Sequence, residues 1–161
     1  MDALRYGDDY GDEAAVTQNA VQLIAFSIGE QTYGVEITTV REIRAWNGAT
    51  PLPNTREFVR GVINLRGTIV PIFDLRARFG EGQTAPTKNH VVVVMSVGEK
   101  WVGMLVDAVS DILTVSRDDI HAVPEGNMID TELLSGIVTH EGRMVGLIDL
   151  NSVISGTKAA A

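Results

Sequence analysis

Two aspartates and one arginine are the residues of this 161-residue chain whose types and placement invite a chemical reading. Asp74 and Asp149 each stand before a leucine at the end of an apolar stretch, in Ile72-Phe73-Asp74-Leu75 and Leu147-Ile148-Asp149-Leu150. A matched pair of carboxylates can share a proton and activate water, which is the chemistry of an aspartic hydrolase. The same placement serves a plainer end, because an aspartate before a helical stretch accepts the orphan amide hydrogens of its first turn. Paired-aspartate proteases carry Asp-Thr-Gly or Asp-Ser-Gly, whereas both sites here read Asp-Leu. Capping is therefore the preferred reading, since symmetry alone does not make a site.

Arg66 raises a different possibility. It lies in GVINLRGTIVPIFDL, residues 61–75, where Asn64-Leu65-Arg66-Gly67 breaks two apolar runs. Gly67 suits the left-handed position that a short hairpin loop needs. Geometry has no use for a large apolar Leu65 or a long cation there. Arginine beside an exposed apolar residue is a common composition for a binding hot spot.

Other chemistries find little support. His90, His121 and His140 fall at no ligand spacing and read as ordinary surface histidines, and the absence of cysteine removes thiolate sites and disulfides. Gly80-Glu81-Gly82-Gln83-Thr84-Ala85 imitates a dinucleotide fingerprint, but Pro86 follows where a helix should begin. That stretch reads as a linker. No metal or cofactor is expected. The formal net charge of −8 speaks against nucleic acid and anionic membranes as partners. No secretory signal pattern is visible, and the strongest apolar run, Val91 to Met95, is too short to span a bilayer. A cytoplasmic protein is expected.

The elements that must position these residues come in two copies. Ser27-Ile28-Gly29-Glu30 aligns with Ser96-Val97-Gly98-Glu99, and Val40 and Ile43 align with Val109 and Ile112. Further on, Gly61, Gly67, Val70 and Asp74 align with Gly136, Gly142, Val145 and Asp149. Collinear blocks with shared glycines indicate a duplication. Each copy predicts a hairpin over 21–37 or 91–106, with a glycine in its second strand marking a bulge or close approach. The i, i+3 spacing of Val40/Ile43 and Val109/Ile112 suggests a helical turn before or within a third strand. Asn54–Arg60, capped by Asn54 or Thr55 and ended by Gly61, reads as a helical turn, and Asp130–Ser135 repeats it before Gly136. Pro71 cannot donate to a ladder, which places its strand at an edge or a bulge. Closely spaced short strands favour small barrels, and a core this thin favours two of them sharing an apolar seam.

The hairpin motif, together with Tyr33-Gly34-Val35-Glu36-Ile37 and Val40-Arg41-Glu42-Ile43-Arg44, resembles the CheW family of bacterial chemotaxis coupling proteins over about residues 21 to 155. The resemblance implies a mainly β fold of two pseudo-symmetric SH3-like five-stranded β-barrels around a shared hydrophobic core. It implies an adaptor without catalysis or cofactor, bridging methyl-accepting chemoreceptors to the histidine kinase CheA. The receptor tip would enter the groove between barrels, and barrel surfaces would pair with the kinase regulatory domain. Carried over residue by residue, Arg66 is the functional arginine, Gly61 precedes the hairpin, and Val40 and Glu42 belong to partner contacts. With Asn64, Leu65 and Gly67 they form the expected partner-binding set, and whether Glu42 and Arg66 pair across the surface is left to the tertiary structure. A CheW-like module of a larger protein, kinase or receiver-fused, is the alternative. In domain terms, residues 1–19 are an acidic disordered tail and 20–155 the folded domain. Barrel one covers about 21–85 and barrel two about 90–155, with chain ends free to exchange, and 156–161 fray.

The tail carries Asp2, Asp8, Asp9, Asp12 and Glu13 against Arg5 alone. So little apolar surface cannot offset ordering entropy. Deleting residues 1–19 is expected to leave the melting temperature and partner capture nearly unchanged, which thermal melts and pull-downs measure directly.

Overall fold

The structure, a computed structural model, describes residues 19–124 and 132–155. The acidic tail through Gln18, the expected fraying of 156–161 and the first two residues of the expected Asp130–Ser135 turn lie outside the described residues.

Among the described residues, ten strands and two short α-helices follow one another in duplicate. The first copy runs β1 (Ala20–Ile28), β2 (Gln31–Glu36), β3 (Val40–Ala45), β4 (Val59–Leu65), β5 (Thr68–Asp74) and α1 (Leu75–Arg78). The second runs β6 (Val91–Val97), β7 (Lys100–Val106), β8 (Ala108–Ser116), β9 (Leu134–His140), β10 (Arg143–Ile148) and α2 (Leu150–Ser155). The strands form where β-branched residues concentrate, most plainly at Val91-Val92-Val93-Val94, of which the last three are buried. Tight turns at Gly29 and Gly98, both with positive φ, close the β1–β2 and β6–β7 hairpins.

Pairing does not follow the halves of the chain. One sheet has the order β8-β1-β2-β10-β9 and the other β3-β6-β7-β5-β4. Substituting each strand by its duplicate turns one order into the other, so the two sheets are pseudo-symmetric copies. Each takes its first hairpin from one half and its other three strands from the opposite half. The expected boundaries of 21–85 and 90–155 are corrected accordingly: the N-terminal hairpins are exchanged. The physical reason lies in the seam. The exchange packs Phe26, Phe73, Leu75, Met95 and Met104 from both halves into one fully buried cluster.

Each sheet curls until the chain beyond one edge strand bridges to the opposite edge, Thr50 past β3 with Val62 in the β6 barrel and His121 past β8 with Ile137 in the β1 barrel. These bridges explain two glycines that were read as helix ends. Asn54–Arg60 is not helical: Asn54 sits in a turn at φ 61, and β4 begins at Val59. Gly61 lies inside β4 at φ 136, where a Cβ would stand 2.2 Å from the Thr50 carbonyl oxygen. A Cβ on Gly136 would likewise stand 2.8 Å from Ile120 Cγ2 and 3.1 Å from the His121 oxygen. Both glycines admit the closing strand. Gly103 in β7 marks the expected close approach, to Ile72 Cδ1 at 2.6 Å from its would-be Cβ.

Three further expectations shift. A 3₁₀ turn, Ile37–Thr39, does precede β3, but Val40/Ile43 and Val109/Ile112 lie within strands rather than helical turns. Pro71 is not on an edge strand, because β5 lies between β7 and β4. The β5–β7 ladder begins only at Ile72, and Pro71 faces Val62 one step from the bonded Ile63/Val70 pair, so no ladder bond calls on its missing N–H. His90 is no ordinary surface residue. Its Nδ1 accepts from the Thr87 amide at 3.0 Å, which leaves Nε2 to donate toward Asp107 Oδ1 at 3.4 Å. Asp107 Oδ2 also accepts from Gly29 N at 2.7 Å and Arg76 Nη2 at 2.8 Å, fastening the exchanged hairpin to the opposite half.

Gly61→Ala is expected to cost more than about 3 kcal/mol, combining a left-handed φ with a backbone clash. Gly98→Ala, whose Cβ would meet nothing within 4 Å, is expected to cost about 1 kcal/mol from the left-handed backbone alone. Urea unfolding of both variants checks the contrast.

Candidate functional site

The hairpin that displays Arg66 is tighter than the sequence suggested. Leu65 pairs with Thr68, leaving a two-residue turn in which Arg66 (φ 52) and Gly67 (φ 91) are both left-handed. This is the turn whose twist matches that of the flanking strands. Asn64 Oδ1 accepts from the Gly67 amide at 2.7 Å and holds the turn shut. The duplicate turn places Glu141 (φ 51) and Gly142 (φ 80) in the same conformation. The backbone therefore tolerates Arg or Glu alike at the first position.

Leu65 is not at the tip. It is 1% exposed and packs with Val70, Ile72, Val92, Val94 and Leu105 inside the β6 barrel. The expectation of an exposed leucine beside Arg66 is corrected: strand alternation turns Leu65 inward and Ile69 outward, to 59% exposure. Ile43 on β3 is exposed as well. Among the other expected site residues, Val40 is half-buried against the shared core, and Gly61 is buried at the barrel closure.

Arg66, with 70% of its side chain exposed, donates from Nη2 to Glu42 Oε1 at 2.7 Å. Glu42 Oε2 accepts from Arg44 Nη1 at 3.1 Å. Arg44 was missed at the sequence level. Its signal was the two-residue spacing from Glu42, which places both on one face of β3. The hydrogen bond from Arg66 holds the Glu42 carboxyl below the usual carboxylate range, and the Arg66 and Arg44 charges add to it against a partial desolvation. The pair spans two strands that are opposite edges of one sheet, so it clasps the barrel across its seam. In the β1 barrel the duplicate positions are Asp111 and Glu141, two like charges that cannot pair. The duplication is symmetric in backbone and asymmetric in charge. Between the clasp and the Thr50–Val62 bridge lies an open cleft of about 440 Å³, lined among others by Arg44, Ala45, Gly48, Val62 and Asn64.

The two aspartates are not brought together as a catalytic pair. Asp74 is fully buried: Oδ1 accepts from Ala77 N at 3.3 Å and Thr84 Oγ1 at 2.7 Å, while Oδ2 accepts from Thr84 N at 2.7 Å and faces Arg60 Nη1 at 3.5 Å. Asp149 Oδ1 accepts from Ser152 N at 3.3 Å. Each caps its own helix, and Asp74 also ties down the linker that resembled a dinucleotide loop. Among the described residues no group of histidine and carboxylate side chains could hold a metal ion.

Comparison with known proteins follows the same lines. The profile of the CheW-like domain family matches residues 22–158. The chain belongs to the CheW family. It is 45% identical over 147 residues to the chemotaxis protein CheW of Rhizobium meliloti (strain 1021), covering 91% of this chain and 95% of that one. The Bacillus subtilis (strain 168) chemotaxis protein CheW is 32% identical, with 83% and 86% covered. The crystal structure of the scaffolding protein TtCheW from Thermoanaerobacter tengcongensis superposes with a TM-score of 0.77 at 32% identity, covering 83% and 86%. The CheW fold thus accounts for the two pseudo-symmetric sheets, and its members carry names of chemotaxis and scaffolding.

Two outcomes test the site's physics. A carboxyl lowered in the folded state contributes stability above its unfolded pKa and loses it as pH falls through the folded value. The Glu42 carboxyl followed by NMR is therefore expected to titrate below the usual range, and its midpoint should rise in Arg66→Ala. Asp74→Ala should cost about 3 kcal/mol or more by stripping the buried Thr84 amide and hydroxyl of their acceptor and Arg60 of its counter-charge, against about 1 kcal/mol for the simple cap Asp149→Ala. Thermal and urea unfolding measure both.

Proposed function

We propose that this chain is a chemotaxis coupling adaptor that joins methyl-accepting chemoreceptors to the regulatory domain of the histidine kinase CheA by surface contact. The observation that carries the reading is the Arg66–Glu42 clasp: a highly exposed guanidinium, 2.7 Å from its carboxylate, on a rigid two-residue turn. An arginine held in place loses less freedom on docking than a loose one, and arginines are frequent binding hot spots. The neighbouring Ile43 and Ile69 add exposed apolar area. In this reading Glu42 and Arg66 meet the partner. Val40, half-buried, shapes the approach, while Gly61, Asn64, Leu65 and Gly67 hold the surface in form.

The adaptor reading needs no catalytic group, and both candidate aspartates are engaged as caps. Among the described residues no helix is long and apolar enough to cross a membrane. Recruitment from the cytoplasm to membrane receptor arrays would then run through the receptor partner.

Three variants test the proposal side by side. Arg66→Ala is expected to change stability by about 0.5 kcal/mol or less, as exposed substitutions do, while weakening capture of partner by about 1–3 kcal/mol. Gly67→Val should instead damage the fold, because a β-branched residue resists the left-handed backbone. Glu141→Ala, the duplicate position, should bind like the wild type. Affinity for a receptor cytoplasmic fragment and for the CheA regulatory domain, measured with melting curves, reads all three. Wild-type binding by Arg66→Ala to both partners defeats the claim for this hairpin.

A further inference from the structure

The seam that the clasp spans is incompletely bonded, and its unbonded groups follow from ladder geometry. In an antiparallel pair, residues alternate between those that exchange hydrogen bonds with the partner strand and those whose amide and carbonyl point away. Trp46 N–H donates to His90 O at 2.9 Å, beside the pairing of Ala45 with Val91. By alternation, Ala45 turns its amide and carbonyl away from β6, toward the seam. On the other side, the two-residue turn closes at the bonded pair Leu65/Thr68, so Asn64 and Val62 turn theirs away from β5. Val62 is answered by Thr50, with N–H to O distances of 2.8 and 2.9 Å in the two directions. Asn64 and Ala45 are not answered. Among the described residues no backbone hydrogen bond joins β3 to β4, and both residues line the 440 Å³ cleft.

We propose that this seam of the β6 barrel accepts an extended acidic segment of a protein partner as an added strand, between β3 and β4, and that the Glu42–Arg66 pair is its clasp. The inference rests on the adaptor reading and names what enters the site. An edge with unanswered amides and carbonyls is a template for strand addition. The acidic character follows from charge. Arg44 and Asn64 line the cleft, and Arg66 follows Asn64 by two residues, with Arg44 and Arg66 both bonded to the single carboxylate of Glu42. A carboxylate on the incoming segment competes with Glu42 for these guanidiniums, so entry and opening of the clasp are one event. The duplicate seam carries Asp111 and Glu141 instead and repels the same segment. One barrel is thereby chosen over its twin.

Backbone hydrogen exchange on the full chain, free and saturated with the CheA regulatory domain or with a receptor cytoplasmic fragment, tests this. In one of the two complexes the Ala45 and Asn64 amides are expected to slow by about tenfold or more, while the already bonded Val62 amide changes little. A companion pair isolates the donor: Asn64→Pro removes the outward N–H, whereas Asn64→Ala keeps it and loses only the side chain. Asn64→Pro should bind that partner about tenfold more weakly than Asn64→Ala. Binding by the wild type with both amides exchanging at their free rates overturns the strand-addition proposal and leaves the adaptor reading standing. Failure of the wild type to bind either partner overturns the adaptor reading, and this inference with it.

Discussion

Burial of one apolar seam between two thin sheets is the constraint on which the rest of the molecule depends. Among the described residues, eight buried side chains fill the β1 barrel and six the β6 barrel, while sixteen form the cluster the barrels share. The seam exceeds both interiors combined. A five-stranded barrel alone encloses too little apolar volume to offset the entropy of ordering its chain. Exchanging the first hairpins makes the shared cluster the product of both halves, so neither half can complete its core alone. Polar ties follow the same logic. Asp107 holds the Gly29 turn, and Arg78 donates to the Ser152 and Val153 carbonyls at the end of α2, each joining one half of the chain to the other.

Within that frame the duplicated parts have separated into what geometry requires and what it leaves open. Gly61 and Gly136 recur because a closing strand passes where a Cβ would stand. Gly67 and Gly142 recur because the turn is left-handed there. The residue before each turn glycine is free to differ, and it does: Arg66 in one barrel, Glu141 in the other. The partner position on the edge strand differs in step, Glu42 against Asp111. One barrel thus carries an ion-paired clasp across its seam and the other a pair of like charges. An adaptor with two nearly identical barrels needs some such difference to give each face its own partner.

The two aspartates teach the complementary point. They occupy matched places and cap matched helices, yet only Asp74 is buried with Arg60 and Thr84. One extra partner, Arg60, stands in β4 where the second copy has Ser135, and the other, Thr84, comes from the linker between the copies, which has no counterpart after Asp149 in the described chain. Symmetry in sequence located the residues correctly and said nothing of their surroundings, because a carboxylate's role is set by the groups that reach it.

By itself the sequence determined the local structure, strands, hairpins and the aspartate helix caps, which depend on residues within a few positions of one another, and it showed the duplication, which needs only a comparison of the chain with itself. The motif around Asn64-Leu65-Arg66-Gly67 and its flanks also sufficed to indicate the family. Only the tertiary structure decided which strands pair. The exchange of hairpins leaves every local pattern unchanged and alters only which half supplies each neighbour. The same holds for the inward turn of Leu65, which depends on where the two-residue turn begins, since a shift of one residue reverses every side chain. It holds for Gly61, mistaken for a helix end because the Thr50 segment that crowds it comes from beyond an irregular loop. And it holds for the Glu42–Arg66 pair, 24 residues apart, which can form only once the opposite edges of a sheet have been brought together by the curl of the barrel.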